Sequence, residues 1–441
     1  MAQKRSGPLF YKAPARKAEK NPAGLSSNTS IELNIERLSA EGRGMAFRDR
    51  KPVFVPYALP GETVRACIVN DKREFAEAQL LEVLTPAPQR QIPPCELFGR
   101  CGGCQLQMLG ADEQIAHKQQ SLQRLLRGFV SEDSSVWQPT LSAQPWYYRH
   151  RARLAVAEQD GKPIVGFRAA NSHHVLAVSS CPILDTRLQP LLQLLPQWLE
   201  QLPQWRRIEE ILVAVDSGNN IAVAWHAQRA FPKADADKLE ALCRAANVLC
   251  GDGAQLNYAV PSQATSIAFT PNDFTQVNPA INDQLAARVI DWLAPTAEDS
   301  VADFFCGLGN FTLPLARRAK TAVGYEVSAA MVARARANAM AQNIGNARFE
   351  VLDLFEPIAE FTLTENKILL DPPRAGAKLL CETLATLKSV QRIVYVSCNP
   401  QTLTRDIEIL AKGGFVLQHA ALVEMFPQTG HSEAVVCLAR K

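Results

Sequence analysis

The sequence predicts a multidomain chain: a small antiparallel β-barrel, a central mostly β domain bearing a cysteine cluster, and a C-terminal α/β domain. Three observations predict this. Residues 30–90 alternate apolar and polar between Gly and Pro breaks. Residues 91–268 open on closely spaced cysteines and then alternate again in short runs. Residues 269–441 interleave apolar strand-like runs with helical stretches, the pattern of a parallel sheet flanked by helices. At 441 residues the chain exceeds what one hydrophobic core usually organises, so a division is expected.

The first 29 residues form a tail with its own character. Between Met1 and Lys20 stand six Lys or Arg against the single acid Glu19, although the whole chain carries only +3. A disordered arm with weak, sequence-independent attraction to phosphate is expected. No apolar run is long enough to span a membrane, and no export-type leader opens the sequence, so a cytoplasmic setting is expected. Eleven cysteines in such a setting argue for metal binding or catalysis rather than disulfides.

In the barrel segment, "GRGMAF", "VFVPYALPGE" and "VRA" place Arg43, Arg48, Lys51, Lys72 and Arg73 near Phe47, Phe54 and Phe75. Cations interleaved with rings suit phosphate contact and base stacking. Nine basic and nine acidic residues between Ile31 and Arg90 show that the segment as a whole is not basic.

Next, "PCELFGRCGGCQLQ" sets Cys95, Cys101 and Cys104 in a C-x5-C-x2-C loop. Three adjacent thiols point to a metal site, with Cys181 in "SSCPIL" as the fourth ligand; Cys243 and Cys250 lie in apolar helical or strand-like context. Spacing alone does not choose between zinc and an iron–sulfur cluster. Arg149, His150, Arg151 and Arg153 form a basic strand, readable equally as a nucleic-acid contact or a solvated face.

The last third carries the chemistry. "DSVADFFCGLGNFTLPLA" reads as a strand, a turn at Gly307 and Gly309, and a helix, where backbone can approach a ligand. "TAVGYEVS" is a second strand ending on Glu326, placed to accept hydrogen bonds from ribose hydroxyls. Further strands end on Asp353, Asp371 and Cys398, so a Rossmann-like domain would gather these side chains at one sheet edge.

The stretches "FTQVN", "DFFCGLGNF", "GYE", "LDPPR", "VYVSCNP" and "HSEAV" together resemble the class I S-adenosylmethionine-dependent RNA uracil-C5 methyltransferases. The barrel resembles a TRAM module, an OB-like RNA-binding fold. The resemblance implies S-adenosyl-L-methionine bound by Gln276, Phe305, Asn310, Glu326, Asp353 and Asp371. Barrel and cysteines together resemble the branch acting on large-subunit ribosomal RNA. That implies a 4Fe-4S cluster on Cys95, Cys101, Cys104 and Cys181, and a monomer acting on one flipped uridine of 23S rRNA.

Chemically, uracil C5 is too weak a nucleophile to take a sulfonium methyl unaided. A thiolate added at C6 makes an enolate whose C5 can. Cys398 would be that thiolate, its pKa lowered by the helix opening near Gln401. Glu433 is the family's base for the C5 proton, with His431 as the alternative nearby, while Cys306 reads as an accessory core thiol. Two other classes compete: a dinucleotide oxidoreductase, for which "CGLGN" lacks the third glycine, and a non-catalytic RNA-binding protein with a structural metal.

Overall fold

A computed structural model describes residues 30–130, 134–356 and 363–440; the basic tail lies outside them. The chain divides into two compact units. The first holds residues up to Lys118 together with Arg168–His174 and Pro427–Gly430, and the second holds the rest.

Within the first unit, six strands make one sheet: β1 (Ser30–Asn34), β2 (Arg37–Leu38), β3 (Gly44–Arg48), β4 (Lys51–Val55), β5 (Thr63–Asp71) and β6 (Ala76–Thr85). Their order is β1-β5-β6-β4-β3-β2, antiparallel except where β4 lies beside β6. The sheet curls around one core, because β1, β3, β4, β5 and β6 all send side chains into the same cluster, Leu33, Ala46, Val53, Val64 and Leu80 among them. In β6 the inward residues run Ala76, Ala78, Leu80 and then Val83. The break in period coincides with a register shift opposite Arg65 and Ala66 that leaves Leu81 exposed, the local cost of a bulge that bends the strand.

A buried ion pair anchors the far end of this sheet. Glu62 accepts from Arg90 NH2 at 2.8 Å and from the backbone N–H of Leu59 at 2.8 Å and of Ala87 at 3.3 Å. With its oxygens so well satisfied, the pair is stable as built. Removing either partner would strand a buried charge at a cost of about 3–5 kcal/mol.

The second unit begins within α1 (Ala111–Leu126). A six-stranded sheet follows, made of β7 (Arg151–Gln159), β8 (Lys162–Arg168), β9 (Val175–Ala177), β10 (Ile208–Val215), β11 (Ile221–Ala227) and β12 (Val248–Cys250), ordered β12-β11-β10-β7-β8-β9. Helices α2 (Gln189–Glu200) and α3 (Lys233–Ala245) fall between its strands in the chain. The basic strand is largely engaged internally: Arg153 pairs with Glu210 at 2.7 Å, and Arg151 donates to the backbone carbonyls of Pro271 and Asp273.

The hairpin β13 (Leu256–Val260) and β14 (Thr265–Phe269) and helix α4 (Pro279–Leu293) lead into the principal sheet. This contains β15 (Ser300–Phe304), β16 (Thr321–Glu326), β17 (Ala347–Val351), β18 (Lys367–Leu370), β19 (Arg392–Ser397), β20 (Phe415–Val423) and β21 (Glu433–Arg440). The helices are α5 (Thr312–Ala316), α6 (Ala329–Ala341), α7 (Lys378–Thr386) and α8 (Pro400–Lys412). The strand order is β17-β16-β15-β18-β19-β21-β20. The first five are parallel, as the alternation predicts, whereas β21 runs antiparallel between β19 and β20. The order reverses between β15 and β18, so the crevice at their carboxyl ends is where a ligand belongs.

Local sequence explains the near-continuous apolar strands: β15, β18 and β19 are covered on both faces, and residues such as Val301, Leu369 and Val394 have no exposed surface. No helix among the described residues is long and apolar enough to cross a membrane.

Candidate active site

At the end of β15 the chain must turn sharply under a ligand. Phe305 takes a left-handed conformation (φ 67°), as do Gly307 and Gly309, and the Phe305 and Cys306 N–H groups donate to the Tyr325 carbonyl. Gly324 on β16 lets this turn sit close, since a Cβ there would stand 2.7 Å from Cys306 Sγ and 2.8 Å from the Phe349 ring. Beside the turn opens a cleft lined by Gln276, Phe305, Asn310 and Asp371 together with Tyr258, Phe274 and Phe311.

The lid over that cleft is held by three ties. Asp273 accepts from the Thr270 N–H at 2.8 Å and hydroxyl at 3.0 Å, and pairs with Arg334. Arg151 holds the Asp273 carbonyl, and the His150 N–H donates to the Val277 carbonyl at 3.0 Å. Phe274, Thr275 and Gln276 are thereby presented as a rigid strip. Asn310 is fixed from below by a reciprocal amide pair with fully buried Asn282, at 2.9 and 3.0 Å.

Glu326 ends β16 and accepts from the Gly307 N–H at 3.3 Å and the Ser328 N–H at 3.0 Å. Its carboxylate therefore lies against the turn, and Ser328 caps α6 just beyond. Asp353 accepts from the Phe355 N–H at 2.9 Å, and the Phe355 ring meets that of Phe305 with centroids 5.8 Å apart. Of the six residues that the family resemblance implies for the cofactor, Gln276, Phe305, Asn310 and Asp371 line the cleft and Glu326 bonds the turn at Gly307, while Asp353 is tied to the Phe355 N–H and is not part of the cleft lining.

Cys398 follows β19 directly, one residue before Asn399, whose side chain caps α8 by accepting from the Gln401 N–H at 3.2 Å. Asn399 Nδ2 and the Thr402 hydroxyl donate to the Arg374 carbonyl at 3.0 and 3.3 Å, stitching the "DPPR" loop to the helix. Deeper in, Asp406 of α8 receives the Tyr395 hydroxyl at 2.7 Å and the Ala377 N–H at 2.8 Å. The backbone on the helix side of Cys398 is therefore tied to the loop that carries Arg374.

Ser397 is in register with Ala434, so one step outward Cys398 stands opposite Glu433. Asp371 follows Leu370, which pairs with Tyr395 on the other side of β19. Burial pushes the Glu433 carboxyl up to about 8, with the Asp371 charge adding to the effect. Burial also raises Asp371 to about 7.

The thiol overturns one expectation. A helix N-terminus is expected to lower the pKa of Cys398, but burial first, and then the charges of Glu433 and Asp371, push it up to about 11, against the opposing Arg374 charge and a backbone hydrogen bond. Desolvation and two facing carboxyls outweigh a helix end whose effect fades within one turn. Beneath the turn, Asp303 is fully buried and raised to about 8 by desolvation, although the Thr312 hydroxyl donates to it at 2.5 Å. A site ringed by reluctant acids is electrostatically suited to a cationic ligand.

A sequence model of the tRNA (uracil-5-)-methyltransferase family matches residues 110–441, and a model of the TRAM domain matches residues 27–81. The chain belongs to the tRNA (uracil-5-)-methyltransferase family. Among its relatives in that family, the 23S rRNA (uracil(1939)-C(5))-methyltransferase RlmD of Pseudomonas putida is 40% identical, over 98% of this chain and 97% of that protein. RlmD of Salmonella paratyphi A is 36% identical over 98% and 99% respectively. The Pyrococcus abyssi tRNA (uracil-54, C5)-methyltransferase, solved in complex with S-adenosyl-L-homocysteine, shares the fold: TM-score 0.72, 22% identity, covering 93% of this chain and all of that one.

Two groups in this family member's site escape sequence reading. Tyr258 and Ile267 line the cleft from the β13–β14 hairpin, with no motif to mark them. Asn282 is invisible for the same reason; only its place under Asn310 gives it meaning.

The cysteine loop lies in the first unit. Cys95 and Cys104 pack on the cluster of Leu59, Phe98, Leu106 and Met108, and Cys101 bridges to Ala169. Cys101 Sγ accepts from the Gly103 N–H at 3.4 Å; burial raises the Cys95 thiol while N–H groups of Leu97 and Phe98 pull it down. Backbone donors aimed at sulfur are what metal-ligating thiolates use, but burial leaves the Cys95 thiol raised on balance. As placed, no group of three or more His, Cys, Asp or Glu among the described residues stands ready to hold a metal ion. Cys181 lies in the second unit, where Gln189 clasps its backbone N–H at 3.0 Å and its carbonyl at 2.7 Å.

Proposed function

We propose that this chain transfers a methyl group from S-adenosyl-L-methionine to C5 of one uridine in 23S rRNA, the equivalent of the uracil 1939 named for its relatives. The observation that carries the reading is Cys398 opposite Glu433 at the sheet edge, beside a cleft lined by Gln276, Phe305, Asn310 and Asp371.

When bound, the cofactor supplies an electrophilic methyl on a sulfonium. Gln276, Phe305, Asn310 and Asp371 would hold it, and Glu326 would accept its ribose hydroxyls. Cys398 gives its proton to solvent and adds to uracil C6 as the thiolate, which moves the C5–C6 π pair onto O4 and makes C5 nucleophilic. Once C5 carries the methyl, Glu433 takes the C5 proton, the C5–C6 double bond re-forms, and the C6–S bond breaks to release the thiolate. A carboxyl raised to about 8 is well matched to such a proton near neutral pH.

The target nucleotide reaches this edge flipped out of its stack. Rings and cations of the TRAM domain support its role in holding flanking RNA: Arg43 lies over Phe54 at 4.3 Å, Lys72 over Phe75 at 4.9 Å, and Phe47 is exposed. Cys95, Cys101, Cys104 and Cys181 would hold a 4Fe-4S cluster.

Incubating the protein with labelled methyl donor and either 23S rRNA or tRNA transcripts, followed by nucleoside analysis, tests the reading. Label in 5-methyluridine of 23S rRNA is expected; label only in tRNA, or none, overturns it.

A further inference from the structure

Cys243 and Cys250 take no part in methyl transfer or in the proposed cluster. Cys243 stands near the end of α3 and is fully buried; Cys250 ends β12 and is half-buried. Only Ala246 and Asn247 join the helix to the strand, with Asn247 in a left-handed turn (φ 55°). This tight corner packs α3 on β12 and brings the two thiols within hydrogen-bonding reach of each other. On the neighbouring strand, whose Val223 is in register with Cys250, Trp225 donates its indole N–H to Cys250 Sγ at 3.4 Å.

We propose that Cys243 and Cys250 form a dithiol redox site, which a low-molecular-weight disulfide of the glutathione class converts to an intramolecular disulfide, with Cys250 attacking first. Two features set the order. Cys250 alone of the pair has surface through which a small disulfide can approach. It also receives the Trp225 indole N–H, which with the facing Cys243 thiol favours the Cys250 thiolate, whereas burial holds Cys243 as the neutral thiol.

The step balances. Cys250 Sγ attacks one sulfur of glutathione disulfide, the glutathione S–S bond breaks, and one glutathione leaves. Cys243 Sγ then attacks Cys250 Sγ, displacing the second glutathione and closing the protein S–S bond. Both thiol protons end on the departing glutathiones; the protein loses two electrons and the glutathione disulfide gains them.

The pair can be read directly on the full-length protein. Trypsin cuts at Arg244, between the two cysteines, so peptides 239–244 and 245–288 separate unless a disulfide joins them, and neither contains another cysteine. After treatment with glutathione disulfide, unfolding, alkylation and digestion without reductant, the linked pair is expected from the parent protein. Cys243→Ser should stop at a mixed disulfide on Cys250, and Cys250→Ser should leave Cys243 fully alkylated. Equal alkylation of both cysteines of the parent with and without glutathione disulfide overturns the proposal. So does a glutathione adduct on Cys243 in Cys250→Ser.

Discussion

Cys398 and Glu433 face each other at the open end of an antiparallel strand pair, one residue beyond the Ser397–Ala434 register, with Asp371 on the adjoining parallel strand end. A thiol and a carboxyl meet here from segments separated by a helix and a full strand.

Attack and proton removal fall to different groups, so the two variants separate. Cys398→Ala should give neither 5-methyluridine nor a covalent complex. Glu433→Gln should allow attack and methylation but stall before proton loss, leaving a methylated protein–RNA adduct that survives a denaturing gel. A 5-fluorouridine substrate should trap the parent enzyme likewise, since fluorine cannot leave as a cation. An adduct mapping to Cys306 would sink the assignment, and normal turnover by Glu433→Gln with accumulation in His431→Ala would move the base two residues.

The raised Glu433 acidity makes stability depend on pH with a definite sign. Its folded value, about 8, exceeds its ordinary value of 4.5, so folding takes up a proton between them. The contribution is fully present below 4.5 and is lost as pH rises through 8. Glu433→Gln, which is always neutral, should therefore gain stability over the parent between pH 6 and pH 9, by on the order of 2–3 kcal/mol. Chemical denaturation at the two pH values reads the gap; an unchanged gap would show that the carboxyl is not enclosed.

Glu326 accepts from the backbone N–H of Gly307 in the turn and from that of Ser328 at the start of α6. Its removal in Glu326→Ala should weaken cofactor binding by about 10- to 100-fold, since hydrogen bonds to a charged group are each worth about 1.5–3 kcal/mol. Calorimetry with S-adenosyl-L-homocysteine checks this, and an unaltered Kd would remove the ribose role.

For the cysteine loop, anaerobically purified protein should contain iron and sulfide. Cys101→Ser and Cys181→Ser should each abolish both, while Cys243→Ser should leave both intact. Full iron content in Cys181→Ser would replace the fourth ligand, and stoichiometric zinc in the parent would replace the cluster.

What sequence could see here was whatever is local. The turn at Gly307 and Gly309, the carboxylate ending the next strand and the cysteine after "VYVS" are each written within a few residues, and each stands at a strand's carboxyl end in the structure. What it could not see depends on distant segments arriving together. The sign of the Cys398 shift is set by burial, with Glu433 and Asp371 from two other strands adding to it, and the helix end that sequence favours loses to them. Asn282 and Tyr258 gain their roles only from the packing of α4 and the β13–β14 hairpin. The antiparallel return of β21 was likewise unwritten, because "AVVCLA" is as apolar as any parallel strand.

That return has a consequence for solubility. Strand β21 enters the sheet between β19 and β20, so the β20–β21 hairpin can form locally and must then dock by its second strand alone. Until it does, β19 presents an unpaired backbone edge along "RIVYVS", a β-branched, nearly uncharged run of the type that recruits other chains. The hairpin that delivers Glu433 is thus also the cover over an aggregation-prone edge. Lesions that loosen it should cost soluble yield before they cost cofactor binding, because the turn and its carboxylates lie on the parallel strands beyond.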